Sequence, residues 1–133
     1  MNAFIVDLKN NPGELARVTE SIADKGIDIT AFSGSTCGDS GSLAIVTNDE
    51  AGTRRVLSQG LWKFHTIEIV ETSLANQPGS LAEMTRRLAK AGVNIEAAFP
   101  IGMSGTNVHV AFATDNPTKA KQAVAELAGA YTR

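Results

Sequence analysis

Two short stretches, Asn10-Asn11-Pro12-Gly13-Glu14 and Asn76-Gln77-Pro78-Gly79-Ser80, carry the residue types from which an anion site can be made. Proline gives no amide hydrogen. The residues that follow it at a helix start do, and they present backbone donors at the positive end of the helix dipole, where a carboxylate is stabilised. Gly13 and Gly79 lack a Cβ, so a ligand can approach the backbone closely. If that ligand is an amino acid, its ammonium group needs an acceptor, and Asp28 or the side-chain oxygen of Asn94 on the following strand could supply one. Each residue taken singly is equally well explained as helix initiation, with asparagine as cap and proline at the first helical position. Two such starts, each with a polar residue at 28 or 94, favour a ligand site.

Other chemistry finds little support. Cys37 is the single cysteine, which excludes an internal disulfide framework and multi-thiolate metal sites and suits a reducing compartment. It stands among Thr36, Gly38 and Asp39 with no base or cation beside it to activate a thiolate. His65 and His109 fall in strand-like segments without further ligands at metal spacing. No H-E-x-x-H, G-x-S-x-G or G-x-x-x-x-G-K-S/T pattern occurs. The glycine-rich run Gly34 to Gly41 could cradle a phosphate, but no helix follows it, so it reads as a long hairpin connection. Arg54-Arg55 and Arg86-Arg87 read as solvated helix faces. A net charge of -2 and an aromatic content of 5% speak against a nucleic-acid surface or an anionic membrane as partner. The apolar runs are too short to span a bilayer, and Met1-Asn2-Ala3-Phe4 does not open a leader peptide. The expectation is a soluble cytoplasmic protein.

The two stretches belong to an internal repeat. An offset of 66 residues, with no gap, pairs Leu8 with Leu74, Pro12 with Pro78, Gly13 with Gly79, Leu15-Ala16 with Leu81-Ala82, Gly26 with Gly92, Ile29 with Ile95 and Asp49 with Asp115. Twice 66 nearly accounts for all 133 residues. In the first copy Phe4, Val6 and Leu8 alternate as on a strand. Asn11 then caps a helix with Glu14 reaching back to it, and Leu15, Val18 and Ile22 share that helix's face. Gly26 stops it in a left-handed conformation. Ile27 to Phe32 and Leu43 to Val46 form the next strands, and a helix from Asp49 to near Gly60 leads to a fourth strand around Trp62. The second copy repeats this order through Thr66–Leu74, a helix with Leu81, Met84 and Leu88, the stop at Gly92, strands at Val93–Ala97 and Asn107–Ala113, and a last helix. Its own final strand is reduced to a stub at Ala130-Tyr131-Thr132. The segment Lys63 to Leu74 serves both copies.

The order strand, helix, strand, strand, helix, strand is the split βαβ, so the fold class is α+β: two ferredoxin-like units, residues 1–66 and 67–133, with antiparallel sheets and helices on one face. The uncovered sheet face calls for pairing between units or between chains.

With Pro-Gly-x-Leu-Ala occurring twice, each followed by Ile27-Asp28-Ile29 or Val93-Asn94-Ile95, the sequence resembles a tandem pair of ACT domains, small amino-acid-sensing modules. The resemblance covers nearly the whole chain. It implies a non-enzymatic regulatory protein that binds a small-molecule effector, commonly an amino acid, at the interface between neighbouring units. It implies no cofactor or metal, a homodimer or higher homo-oligomer, and a metabolic enzyme as a possible partner. It puts Asn10, Asn11, Pro12, Gly13, Glu14, Leu15, Asp28 and Ile29 of the first copy at the site, with Asn76, Gln77, Pro78, Gly79, Ser80, Leu81, Asn94 and Ile95 of the second. A different reading is a regulatory subunit that acts mainly through protein contact, its pockets vestigial.

Overall fold

The computed structural model describes residues 1–131. The chain forms two compact units, Met1–Ile67 and Glu68–Arg133. In unit 1, β1 (Asn2–Lys9), α1 (Glu14–Ala23), β2 (Ile29–Cys37), β3 (Ser40–Thr47), α2 (Glu50–Gln59) and the start of β4 (Phe64–Ala75) follow one another. The strand order is β2-β3-β1-β4. Unit 2 takes the rest of β4, then α3 (Ser80–Lys90), β5 (Ile95–Ser104), β6 (Asn107–Thr114) and α4 (Pro117–Tyr131), with order β4-β6-β5. The split βαβ of unit 1 is therefore repeated in unit 2 as far as its second helix, with β1–β3, β2–β3, β4–β6 and β5–β6 all antiparallel.

Alternation decides each sheet's inner face. Phe4 and Val6 of β1 meet Leu43 and Ile45 of β3, and Val18 and Ile22 of α1 close over them with Val56 and Leu57 of α2. Unit 2 builds the same layer from Val70, Leu74, Val110 and Phe112 under Met84, Leu88, Ala123, Val124 and Leu127. The glycines placed after the helices do end them in the left-handed region, Gly26 at φ 70° and Gly92 at φ 76°.

Three local readings need correction. The run Gly34 to Gly41 is paired strand for most of its length, because Gly34, Ser35 and Thr36 face Leu43, Ser42 and Gly41, and only Gly38-Asp39 turn between Cys37 and Ser40. Gly38 at φ 62° supplies the conformation that so tight a turn demands. Second, the repeat does need a gap. Beyond the second strand the offset is 67, since β5 holds one residue more than β2 and absorbs it at the register shift between Pro100 and Gly102. Asp49 therefore corresponds to Asn116, both accepting from the first turn of a helix (Gly52 N–H, 2.8 Å; Lys119 N–H, 3.1 Å). Asp115 repeats Asn48: each accepts the N–H of the residue at 94 or 28, at 2.9 and 3.0 Å. Third, Ala130 and Tyr131 form the last turn of α4 instead of a strand; Thr132 lies outside the described residues. The small alanines there continue the helical spacing of Ala120, Ala123 and Leu127.

The two helix layers also differ in one buried contact. Thr47 and Thr53 share a hydrogen bond of 2.7 Å inside unit 1. Alanine 120 stands where Thr53 would be, and the Thr114 hydroxyl, buried at the matching place, has no partner.

Candidate functional site

Both Pro-Gly stretches fold alike. The second residue after the strand bonds back two positions, Asn11 N–H to Lys9 O and Gln77 N–H to Ala75 O, and the chain then passes through Gly13 at φ 90° or Gly79 at φ 91° into the helix. That positive φ moves the helix start two residues beyond the expected place: Gly13 and Gly79 are the caps, without a side-chain cap bond, and neither Asn11 nor Pro12 takes the role read from the sequence. The first internal helical bonds are Arg17 N–H to Gly13 O and Glu83 N–H to Gly79 O, 2.9 Å each. The amides of Leu15, Ala16, Leu81 and Ala82 precede them and have no acceptor one turn back. A Cβ added at Gly13 or Gly79 would meet nothing within 4 Å, so their backbone angle, together with the open space before them, is what glycine provides.

What surrounds the two starts differs. In unit 1 Asn10 is held by the β2–β3 turn, its backbone N–H donating to Asp39 O at 3.1 Å and its Nδ2 to Gly38 O at 2.9 Å. Glu14 places its own carboxylate at the first turn of α1 and lies 3.6 Å from the Arg17 guanidinium. That guanidinium lies over the Trp62 ring, 4.2 Å from its centroid. Trp62 is 8% exposed and packs with Val18 and Leu57. Its ring leans on Gly60, where a Cβ would come within 2.0 Å of it. Lys63 O accepts from Asp7 N–H at 2.9 Å beside it.

In unit 2 the same location is open. Two adjoining cavities, about 370 and 300 Å³, share Leu74, Ala75, Gln77 and Ser80 and lie on either side of the start of α3. The larger runs inward to Met84 and Leu127, with Thr72, Ser73 and Asn107 along its side. The smaller includes Asn76 and Leu81 and reaches across to Phe99, Pro100 and Val110. No charged residue lines either cavity among the described residues.

The sequence-derived residues are thus divided. Asn76, Gln77, Ser80 and Leu81 are gathered at the unit 2 cavities, with Pro78 and Gly79 in the turn between them. Asn11, Pro12, Gly13, Glu14 and Leu15 form the corresponding turn in unit 1. Asp28 and Asn94 are not brought to either start within their own unit: they follow the far end of a helix of ten or eleven residues, about 15 Å away. Their backbone amides are tied to Asn48 and Asp115. Ile29 and Ile95 pack against the hydrophobic cores. Thr72, Met84, Asn107 and Leu127 are the residues that motif reading missed; the pairing of β4 with β6, which sets Ala75 opposite Asn107, is the signal that would have found one of them.

No protein-family model matches the chain, and no curated protein matches it. Solved structures do. Protein BT0572 from Bacteroides thetaiotaomicron superposes with a TM-score of 0.79 at 25% identity, over 94% of this chain and 86% of that one. The ligand-free regulatory subunit of aspartate kinase from Thermus thermophilus gives 0.68 at 20% identity, over 94% and 89%. The regulatory subunit of aspartate kinase from Thermus flavus gives 0.67 at 22% identity, over 94% and 91%. The repeated strand-helix order, the paired Pro-Gly helix starts and these superpositions agree: the chain has the fold of those regulatory subunits, consistent with a tandem pair of ACT domains.

Proposed function

We propose that the chain is a non-enzymatic regulatory protein that binds a small amino acid or related carboxylate at the start of α3, at an interface between ACT-like units. The observation that carries this reading is the pair of cavities at the start of α3, both lined by Gln77 and Ser80, at the positive end of the helix dipole. Solved structures named as regulatory subunits of aspartate kinase share the fold and support a regulatory role here. In this reading residues 1–66 and 67–133 are the two ACT-like units, a homodimer or higher homo-oligomer completes the site, and a metabolic enzyme reads the bound state as a shift between arrangements.

The test is thermal unfolding of protein stripped of ligand, against the twenty amino acids one at a time. Ligand at a hundredfold over its dissociation constant adds about 2.7 kcal/mol, a shift of several degrees. Ser80→Glu should abolish that shift while leaving the ligand-free melting temperature unchanged or slightly raised, because its carboxylate occupies the dipole site itself. An undiminished shift in S80E would remove the carboxylate from the start of α3. Silence with all twenty would favour the regulatory subunit that works through protein contact, a reading for which Phe32, 67% exposed on the outer strand β2, offers an apolar surface.

A further inference from the structure

We infer that the outward face of α1 on one copy of the chain docks against the outward face of α3 on a second copy, with the two helices antiparallel. This rests on the homo-oligomer in the reading above, names the surfaces that form it, and needs no ligand.

The two faces carry the same small residues and opposite charges. Val18 and Ile22 turn one side of α1 into the unit 1 core, which leaves Ala16, Glu20, Ala23 and Asp24, spaced as one helical stripe, exposed on the other side. The offset of 66 gives Ala82, Arg86, Ala89 and Lys90 on α3, also exposed, opposite the buried Met84 and Leu88. Both alanines recur, and both carboxylates become cations. None of these four charged side chains enters an ion pair among the described residues. Arg17 and Arg87, on the flanks, are engaged inside their own units, over Trp62 and toward Glu126. Nothing within α1 favours its acidic stripe, since Glu20 in the last turn and Asp24 at the C-cap stand where the helix dipole disfavours an anion, and no basic residue is there to offset them.

Laid antiparallel, the stripes set Ala16 and Ala23 on Ala89 and Ala82, which allows axes at the short end of about 8–10 Å, and set Glu20 on Arg86. Asp24 then reaches the positive start of α3, and Lys90 the Glu14 carboxylate at the start of α1. Leu15 and Leu81, 49% and 52% exposed, add apolar area at the rims. Two copies of α1 would oppose Glu20 to Glu20, and two of α3 Arg86 to Arg86, so the charges select the unlike pair.

Sedimentation equilibrium on the full-length chain tests this. The parent should associate, and less tightly as salt rises from ~0.1 to ~1 M, which cuts the screening length from about 10 to about 3 Å. Reversing α1 with E20R and D24K, or α3 with R86E and K90E, opposes like charges and should weaken association about tenfold or more. Mixed in equal amounts, the two reversed chains should associate again, because α1 of each then meets an α3 of opposite charge on the other. Ala16→Trp, which holds the axes apart without touching charge, should weaken the parent likewise and decides the matter should a reversed chain fail to fold. Parent-strength association of any variant alone, or no recovery in the mixture, would overturn this inference while leaving the ligand reading and the homo-oligomer intact. A parent that stays monomeric would overturn both this inference and the homo-oligomer.

Discussion

Units 1 and 2 share a backbone and differ in what fills it. Around the first helix start, unit 1 has an internal carboxylate, a cation stacked on an indole and a closed core. Unit 2 has Ser80, with Glu83 further along the same turn, and two cavities; elsewhere, at the end of β6, it has an unpartnered buried hydroxyl. A duplicated backbone need not duplicate a cavity. The motif that starts the helix persists in both copies because the backbone at φ near 90° requires it, whereas the pocket depends on side chains far from the motif, and those diverged.

The largest effect expected from this contrast comes at Trp62. Trp62→Ala should cost about 3–5 kcal/mol in denaturant unfolding, since it empties a packed site under Arg17. A loss below about 1 kcal/mol would mean that unit 1 is not closed by this residue. Next, Thr53→Ala should cost about 1–2 kcal/mol by removing the partner of Thr47 inside the unit 1 core. Thr114→Val in unit 2 should fall within about 0.5 kcal/mol of neutral or be stabilising, because no bond is lost there. Equal penalties at 53 and 114 would erase that difference. Gly13→Ala and Gly79→Ala should each cost about 1 kcal/mol, and equally, as both force a side chain into the left-handed region with space around it. The smallest effect is a pH dependence at Glu50 in unit 1. Glu50 accepts from the Asn2 backbone N–H at 2.8 Å and from its side chain at 3.2 Å. The backbone bond first, then the side-chain bond, hold its carboxyl below the ordinary 4.5 against a partial burial that raises it. Stabilisation is therefore complete above that ordinary value and is lost as pH falls through the lower folded value. Glu50→Gln should destabilise by about 0.5 kcal/mol at neutral pH and converge with the parent in acid. Pro117 stands at the matching place in unit 2 and titrates nothing.

The fold was legible because its signals are backbone signals. Alternation at Phe4, Val6 and Leu8 and the stops at Gly26 and Gly92 depend on local sterics and a period of two or 3.6 residues. The gap in the repeat was harder to see, because a single extra residue absorbed at Pro100–Gly102 changes pairing across strands and leaves no mark on composition. The Gly34–Gly41 run misled for a related reason: small polar residues read as loop until a partner strand is there to pair them. For the site, Gln77 and Ser80 could be read from their place at a helix start. Met84 and Leu127 looked like ordinary core positions, and only the volume left beside them distinguishes them. Asp28 and Asn94 were placed by adjacency in sequence to a strand, but a helix of ten or eleven residues stands between them and the turn.

Trp62 also gives the molecule an optical label. It is the only tryptophan, and the only tyrosine is Tyr131, so indole emission belongs to unit 1 alone. Buried at 8% exposure, it emits toward the blue and moves red only when unit 1 opens. Fluorescence and calorimetric melting curves recorded side by side therefore separate the unfolding of one half from that of the whole wherever the halves melt independently.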